Sequence, residues 1–457
     1  MTESFKPLKL AVVGHTNVGK TSLLRTLTRD VGFGEVSHRP STTRHVEGAR
    51  LSVDGQALLE LYDTPGLEDA IALLDYLERL ERPGERLDGP ARLARFLDGS
   101  EARQRFEQEA KVLRQLLASD AGLYVIDARE PVLAKYHDEL EVLASCGKPL
   151  LPVLNFVSSA QHREPEWREA LARLGLHALV RFDSVAPPED GERRLYESLA
   201  LLLESAREQL ERLITDQQAQ RQARQQSAKR LIAELLIDCA ACRRSVASDA
   251  DLEHQAISQL RDAVRQREQR CVEALLKLYA FRPEDAATGD LPLLDGRWGD
   301  DLFNPDTLKQ LGVRVGGGIA AGAAAGAGVD LLVGGLTLGA AALAGAIAGG
   351  ALQTARSYGN RLMGKLKGQR ELTVDDGVLR LLALRQRQLL QAINQRGHAA
   401  MDSIRIATPQ DKTWREGKLP EALGKARAYP QWSSLNPNPR LSQAERQEQI
   451  EQLAEQL

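Results

Sequence analysis

The sequence predicts an α/β domain with a mostly parallel sheet and helices on both faces, followed by a mostly α-helical domain. Strand-like apolar runs alternate with helix-patterned segments in the N-terminal part, as in parallel sheets. These runs are 8–13, 57–61, 123–126, 150–154 and 179–182. From about residue 195, apolar residues recur every three or four positions, which indicates amphipathic helices. The aromatic content of only 4% also favours a largely helical chain over an aromatic-rich β protein.

The change of pattern suggests a division into two domains, residues 1–205 and residues 206–457. Residues 80–108 are polar and interrupted by Gly and Pro, which predicts a surface insertion. Residues 315–352 are rich in Gly and Ala and carry one charged residue, Asp330. This composition predicts a helical hairpin that either packs tightly within the protein or contacts a membrane.

The composition limits the classes of function. The chain has 60 Lys and Arg against 63 Asp and Glu, a net charge of -3, so it gives no strong nucleic-acid signal. Four cysteines in 457 residues do not make a disulfide framework, and the N-terminus lacks a signal-peptide pattern. We therefore expect a cytoplasmic protein, at the inner face of the membrane if residues 315–352 make contact there. Cys239 and Cys242 form a CxxC inside a helical pattern, where we expect ordinary buried cysteines rather than a metal site.

A phosphate-binding motif follows the first predicted strand. Residues 14–21, GHTNVGKT, match G-x-x-x-x-G-K-[ST] between a predicted strand and a predicted helix. Backbone amides of such a loop surround phosphate oxygens, Lys20 reaches the β- and γ-phosphates, and the Thr21 hydroxyl binds Mg²⁺. The predicted nucleotide-binding residues of this loop are Gly14, His15, Thr16, Asn17, Val18, Gly19, Lys20, Thr21 and Ser22.

Two further motifs follow in the order that a nucleotide-hydrolysing domain requires. The sequence Asp63-Thr64-Pro65-Gly66 comes after a predicted strand, where Asp63 can hold Mg²⁺ and the Gly66 amide can meet the γ-phosphate. Between the two motifs, residues 40–45, PSTTRH, form a polar loop suited to closing on metal and phosphate.

These motifs resemble those of the Era/TrmE-like GTPases, a family of the translation-factor-related P-loop class, and the resemblance covers residues 8–205. It implies binding of GTP and GDP with Mg²⁺, and it assigns Thr43 to the metal beside Thr21 and Asp63. It also implies that Asn17 coordinates K⁺. The catalytic residues that it implies are Lys20, Thr43, Gly66 and Asn17.

The resemblance further implies slow hydrolysis, because apolar Leu67 stands after the DxxG glycine and cannot orient water. A homodimer is a partner arrangement consistent with this class. The whole arrangement also resembles a bacterial group in which an Era-like GTPase precedes a helical C-terminal domain.

The base-recognition loop departs from the family pattern. The family's N-K-x-D motif is replaced by Asn155, Phe156, Val157 and Ser158, so its Lys becomes Phe and its Asp becomes Ser. Asn155 and Phe156 remain candidates for contact with the purine, and Asp183 is a candidate substitute for the missing carboxylate. Guanine specificity therefore follows from the resemblance and not from this loop.

Three functions remain open at this point. The leading one is a GTP-binding protein that hydrolyses GTP slowly, with stimulation by K⁺. In this function the bound nucleotide switches the state of the helical effector domain, and a membrane is one place where this could occur. One alternative is an RNA-, ribosome- or tRNA-associated GTPase. The other is a nucleotide-binding scaffold with little turnover, in which the changed NFVS loop reflects lost catalysis.

Overall fold

The computed structural model describes most of the chain, with gaps at 31–45, 282–292, 304–328, 333–368 and 397–413 and at shorter stretches. The described residues are 6–30, 46–80, 85–247, 249–281, 293–294, 297–298, 302–303, 329–332, 369–396, 414–415 and 417–457. The chain divides into two compact units, the first Met1–Arg221 with Gln395–Met401, and the second Gln222–Asn394 with Asp402–Leu457. Each unit is described by itself below.

A six-stranded sheet forms the centre of the first unit. Its strands are β1 Leu8–Val13, β2 Glu47–Val53, β3 Gln56–Asp63, β4 Ala121–Asp127, β5 Leu150–Asn155 and β6 Val180–Arg181. The strand order is β2-β3-β1-β4-β5-β6, and all neighbours are parallel except β2 and β3. The predicted mostly parallel sheet is confirmed, and the sequence missed only the antiparallel edge strand β2.

Helices cover both faces of this sheet. They are α1 Lys20–Thr28, α2 Ala70–Arg79, α3 Gly89–Asp98, α4 Glu107–Leu117, α5 Ala134–Ala144, α6 Glu164–Arg173 and α7 Gly191–Leu202. The long helix α8 Arg207–Ala241 begins in this unit and ends in the second. One apolar core contains side chains of α1, α7 and the start of α8, and another contains side chains of α2 to α6. This arrangement brings the C-terminal ends of β1, β3, β4 and β5 to one edge of the sheet.

The polar composition of segment 80–108 predicted a surface insertion, but the structure shows that the segment is not a simple one. It contains α3, which begins after the N-cap Asp88, whose side chain accepts a hydrogen bond from the Ala91 amide. Leu93 and Phe96 are fully buried and belong to the same core as α2 and α4. Burial of these apolar side chains stabilises the first unit, so this part of the segment is integral to the fold.

The second unit is mostly helical, as predicted. Among its described residues, the helices besides α8 are α9 Ala250–Leu278, α10 Asp376–Gln395, α11 Glu421–Ala428 and α12 Ala444–Glu455. A three-stranded antiparallel sheet accompanies them, formed by β7 Arg243–Ala247, β10 Val329–Leu332 and β11 Gln369–Val374, in the order β10-β11-β7. The short strands β8 Leu293–Leu294 and β9 Arg297–Trp298 pair with each other.

The structure changes part of the prediction for residues 315–352. Val329–Leu332, inside the predicted helical hairpin, is a strand with Asp330 opposite Thr373, so the prediction of helix is wrong for these four residues. The other residues of the predicted hairpin lie outside the described part of the chain. No helix among the described residues combines the length and apolar character needed to cross a membrane.

The C-terminal part of the second unit contains α11 and a short 3-10 helix, Pro430–Trp432. The N-cap of α12 is Gln443, whose side chain makes no capping hydrogen bond.

A buried carboxylate joins three helices of the second unit. Asp238 of α8 accepts hydrogen bonds from Arg267 Nε at 2.6 Å and from Arg446 Nη2 at 3.2 Å. The backbone amide and hydroxyl of Ser434 donate to the same carboxylate at 3.0 and 2.9 Å. Since an unpaired buried charge is costly, these partners make the burial of Asp238 tolerable and fix α9 and α12 against α8.

Candidate functional site

The phosphate-binding loop has the backbone that its glycines predict. Gly14 has φ 139° and lies against β4, where a Cβ atom would stand 2.5 Å from the Val125 carbonyl oxygen. Asn17 and Gly19 also have positive φ, 62° and 91°, and α1 begins directly at Lys20. The loop therefore has a sharply turned backbone directly before the N-terminus of a helix, where an anion is stabilised.

Lys20 lies buried at the base of this loop. Its ammonium donates hydrogen bonds to the carbonyl oxygens of Gly14 at 3.2 Å and His15 at 2.6 Å. Burial lowers the pKa of Lys20 to about 8, and the nearby negative charges of Asp63, Glu139 and Glu68 oppose this shift. The side chain is thus held in place before any phosphate binds.

A hydroxyl and a carboxylate meet beside Lys20. Thr21 Oγ1 donates to Asp63 Oδ2 at 2.5 Å, and Asp63 Oδ1 is buried with no hydrogen-bond partner among the described residues. Burial raises the pKa of Asp63 to about 6, while the Thr21 hydrogen bond and the Lys20 charge lower it. An unpartnered carboxylate oxygen next to a hydroxyl fits a hard divalent cation, so these residues suit Mg²⁺.

The DxxG segment lies directly on the phosphate-binding loop. The Leu67 amide donates to the Gly14 carbonyl oxygen at 3.2 Å, and His15 and Leu67 form a parallel bridge. A Cβ atom on Gly66 would stand 2.7 Å from the Thr16 amide nitrogen, so only glycine permits this approach. The Leu67 side chain is fully buried in the core of α2 to α6, where it cannot reach a water molecule at the phosphate.

The imidazole of His15 is held on the side of α5. Its Nδ1 lies 2.5 Å from Glu139 Oε1, and its Nε2 lies 3.0 Å from Lys135 Nζ. The Tyr124 hydroxyl donates to the other oxygen of Glu139 at 3.0 Å, and the Glu139 side chain is 1% exposed. Because an ammonium can only donate, the Lys135 contact makes His15 Nε2 an acceptor and Nδ1 the donor to Glu139. Sequence reasoning missed Glu139, which fixes the side chain of a loop residue far away in the chain.

Asn155 joins the phosphate-binding loop to the base-recognition loops. Its side-chain amide donates to the Val18 carbonyl oxygen at 3.0 Å. Its carbonyl oxygen accepts from the amides of Phe156 and Ser184, both at 2.9 Å. The side chain is fully buried, so it acts as a brace between loops that follow β1, β5 and β6.

Phe156 stands where the family motif has its Lys, and Arg129 lies over its ring. Phe156 has φ 58°, and the Arg129 guanidinium lies 4.1 Å from the centre of its ring. Arg129 is held by Asp127 through hydrogen bonds of 2.9 Å from Nε and 2.7 Å from Nη2. In the sequence, nothing marks Arg129 as a site residue beyond its place after a strand.

Asp183 is committed to the loops themselves. Its Oδ2 accepts from the Ser158 amide at 2.8 Å, and its Oδ1 accepts from the Val185 and Ala186 amides at 2.9 and 3.0 Å. The residue is 2% exposed. The suggested replacement of the missing base-binding carboxylate by Asp183 therefore has no support in this geometry.

The remaining predicted residues fall into two groups. Asn17 is exposed at the apex of the loop, whereas Val18 and Ser22 are buried beneath it. Thr43 and the rest of residues 40–45 lie outside the described part of the chain. The structure thus brings the loop, Asp63, Gly66, Asn155 and Phe156 to one edge of the sheet and leaves the first switch as a prediction.

Two family models match this chain. One is described as 50S ribosome-binding GTPase and matches residues 9–156, and the other is described as Domain of unknown function (DUF3482) and matches residues 168–455. A comparison with the curated proteins finds no match.

Several solved structures are similar to part of the chain. A structure of Aquifex aeolicus Era bound to GDP and AlF4⁻ is 21% identical, with 39% of this chain and 52% of that chain covered and a TM-score of 0.29. The bacterial selenocysteine-specific elongation factor EF-Sec is 17% identical, with 44% and 29% covered and a TM-score of 0.29. The G domain of the T. maritima FeoB iron transporter is 22% identical, with 43% and 98% covered and a TM-score of 0.27. The match spans about half the length of the Era chain.

The first unit is a P-loop GTPase domain: the loop, the Thr21–Asp63 pair and the DxxG segment stand in the required places, and the GTPase family model covers them. The family assignment follows from the longer match. The chain belongs to the DUF3482 family, whose model covers more than half of its length.

Removing the buried carboxylate of Glu139 should loosen the phosphate-binding loop. In Glu139→Ala, His15 and Tyr124 lose a buried partner, which costs about 1–3 kcal/mol. We expect amide hydrogen exchange in residues 14–19 and in α5 to become about 5- to 150-fold faster. The matched control is Glu141→Ala, on the same helix but 53% exposed, which should leave exchange unchanged. Equal exchange in the two variants would contradict the bracing role of Glu139.

Proposed function

We propose that this chain is a GTP-binding protein of the Era/TrmE-like class that hydrolyses GTP slowly and switches its helical second unit. The observation that carries the proposal is the convergence of Lys20, the Thr21–Asp63 pair and Gly66 at one loop. This set supplies a cation, two oxygen ligands for Mg²⁺ and a backbone amide at the position of the γ-phosphate. GTP and GDP are the proposed ligands.

Each part has a distinct role in phosphoryl transfer. The loop amides and Lys20 bind the β- and γ-phosphates, and Gly66 donates its amide to the γ-phosphate as charge develops on it. Mg²⁺, when held by Thr21 and Asp63, neutralises charge on the phosphate oxygens. Thr43 is the proposed additional ligand from the first switch. The positions of the donors are fixed in advance, which is how such sites lower the barrier.

Slow turnover follows from the surroundings of the DxxG segment. The Leu67 side chain is buried and carries no polar group, so it cannot align the attacking water. Asn17 is exposed at the loop apex, where its amide oxygen can coordinate K⁺ beside the phosphates. We propose that K⁺ bound at Asn17 supplies positive charge beside the phosphates, a role for which no arginine among the described residues has been identified.

The long helix α8 supports coupling between the nucleotide and the second unit. Near its start, the Gln209 side chain donates to the Leu58 carbonyl oxygen of β3, and β3 ends at Asp63. Near its other end, Asp238 binds α9 and α12. One helix therefore contacts both the strand that carries the metal ligand and the centre of the helical unit.

Nucleotide binding should depend on Lys20. Titration of the full chain with GTP and Mg²⁺ should show saturable binding, and Lys20→Ala should weaken it by about 10- to 150-fold, since a charge-assisted hydrogen bond contributes about 1.5–3 kcal/mol. Lys111→Ala, which removes an ion pair with Glu107 on α4, is the control and should bind normally. Wild-type affinity in Lys20→Ala would show that the loop is misassigned, and binding without any turnover would favour the scaffold.

Hydrolysis should respond to K⁺ through Asn17. We expect faster turnover in K⁺ than in Na⁺ at equal ionic strength, because the two salts screen charges equally and differ in ion size. Asn17→Ala should abolish this difference while changing GTP affinity little. A K⁺ response that persists in Asn17→Ala would exclude Asn17 as the ligand.

Membrane contact through residues 315–352 is part of the proposal and rests on composition. The purified chain should float with liposomes of anionic lipid in at least one nucleotide state. The Gly- and Ala-rich apolar stretch partitions weakly into lipid, and the basic residues Arg356 and Arg361, which follow it, are attracted to anionic headgroups. Deletion of residues 335–352 is the control. Failure to float with either nucleotide would exclude membrane contact. Salt-sensitive retention of ribosomal RNA would instead favour the ribosome-associated alternative that the GTPase family description suggests.

A further inference from the structure

The base end of the nucleotide site lacks the group that usually selects guanine. Guanine presents two N–H donors on one edge, and a buried carboxylate facing them rejects bases that lack these donors, since it would remain unpaired. Position 158 is Ser, and its backbone amide is already bound to Asp183. Acceptance of the two guanine N–H donors would therefore need another carboxylate.

Two carboxylates beside this loop, Asp183 and Asp127, already bind other groups. Asp183 binds three backbone amides and is 2% exposed. Asp127 accepts two side-chain hydrogen bonds and one backbone hydrogen bond from Arg129. The amides of Val185 and Ala186, which could meet a carbonyl of the base, are committed to Asp183 as well. The polar groups of these loops thus bind one another.

What the site does present is an aromatic ring in a fixed position. Phe156 is only partly buried and has a left-handed backbone with φ 58°. Its ring reaches the phosphate-binding loop, since a Cβ atom on Gly19 would stand 3.0 Å from Phe156 Cζ. Arg129 lies over the ring at 4.1 Å and is itself held by Asp127. We call the Phe156 ring, the Arg129 guanidinium over it and the Asp127 carboxylate that holds the guanidinium the Phe156 platform.

We propose that the Phe156 platform holds the nucleotide base by stacking and does not select the 2-amino group of guanine, so that the site accepts GTP, ITP and XTP alike. This inference rests on the proposed function, because it assumes a nucleoside triphosphate bound at Lys20. Stacking is tolerant of base identity, since every base offers a π-face. Arg129 strengthens the platform because a cation over one side of the ring is attracted to its electron density.

The first test is competition of GTP with ITP and XTP for the full-length wild-type chain in Mg²⁺. We expect the three affinities to agree within about threefold, because Asp183 and Asp127 are bound to other groups and do not distinguish the edges of the three bases. A preference for GTP of tenfold or more over both analogues would overturn the proposal. This measurement needs no variant and so does not depend on how a mutant folds.

The second test restores the missing carboxylate. Ser158→Asp should create a preference for GTP over XTP of about tenfold or more, because the new side chain can accept from the two guanine donors and would face the additional carbonyl of xanthine. Ser159→Asp, one residue further along the chain, is the matched control and should leave the three affinities alike. An unchanged ratio in Ser158→Asp, with normal GTP binding, would show that the base does not lie at this loop.

The third test addresses the platform directly. Phe156→Leu keeps an apolar side chain but loses the π-face, and it should weaken all three nucleotides by about 5- to 150-fold, whereas Phe156→Tyr should retain binding. Arg129→Ala should weaken all three to a smaller degree. The matched control is Arg168→Ala, another exposed arginine that pairs with a carboxylate, Glu164. Wild-type affinities in Phe156→Leu would contradict stacking.

The two proposals fail in different ways. If Lys20→Ala binds GTP as well as the wild type does, the phosphate site is misassigned and both proposals fall. If binding depends on Lys20 but GTP is preferred at least tenfold over ITP and XTP, the GTPase stands and only the Phe156 platform falls.

Discussion

The side chain of Asn155 is the constraint on which the nucleotide site depends. It is fully buried, and its three hydrogen bonds reach the phosphate-binding loop, its own loop and the loop after β6. These loops gather at the edge where parallel strands end, but the sheet alone does not fix their distances. Gly19 is tied to the same contact, since a Cβ atom there would collide with the Asn155 amide. This explains how the neighbouring Lys and Asp of the family motif can be absent while the Asn is present.

The sequence predicted those features whose cause is local. The phosphate-binding loop, Thr21, Asp63 and Gly66 were predicted because each needs a particular residue type beside a strand or helix end. The strand β2 was missed because most of its residues are exposed and its pattern, EGARLSV, contains little apolar alternation. The α3 segment was misjudged because charged residues surround the few side chains that pack inwards.

Contacts between distant parts of the chain could not be predicted in the same way. Glu139 contacts His15 across more than one hundred residues, and nothing around Glu139 marks it as buried. Likewise, Asp238 lies in an amphipathic helix and meets Ser434 and Arg446 only after α9 and α12 have packed. Tertiary packing, not local propensity, determines these positions.

The pairing of β10 with β11 bears on how this family can vary. The two strands are antiparallel neighbours, with Leu332 opposite Glu371, so the end of β10 and the start of β11 lie at adjacent points of the sheet. In general, each doubling of the number of residues between two fixed ends costs only about 0.6 kcal/mol of closure entropy. A change in the number of residues between Leu332 and Gln369 is therefore compatible with the strand order β10-β11-β7, and relatives can differ in length there while they keep the same sheet.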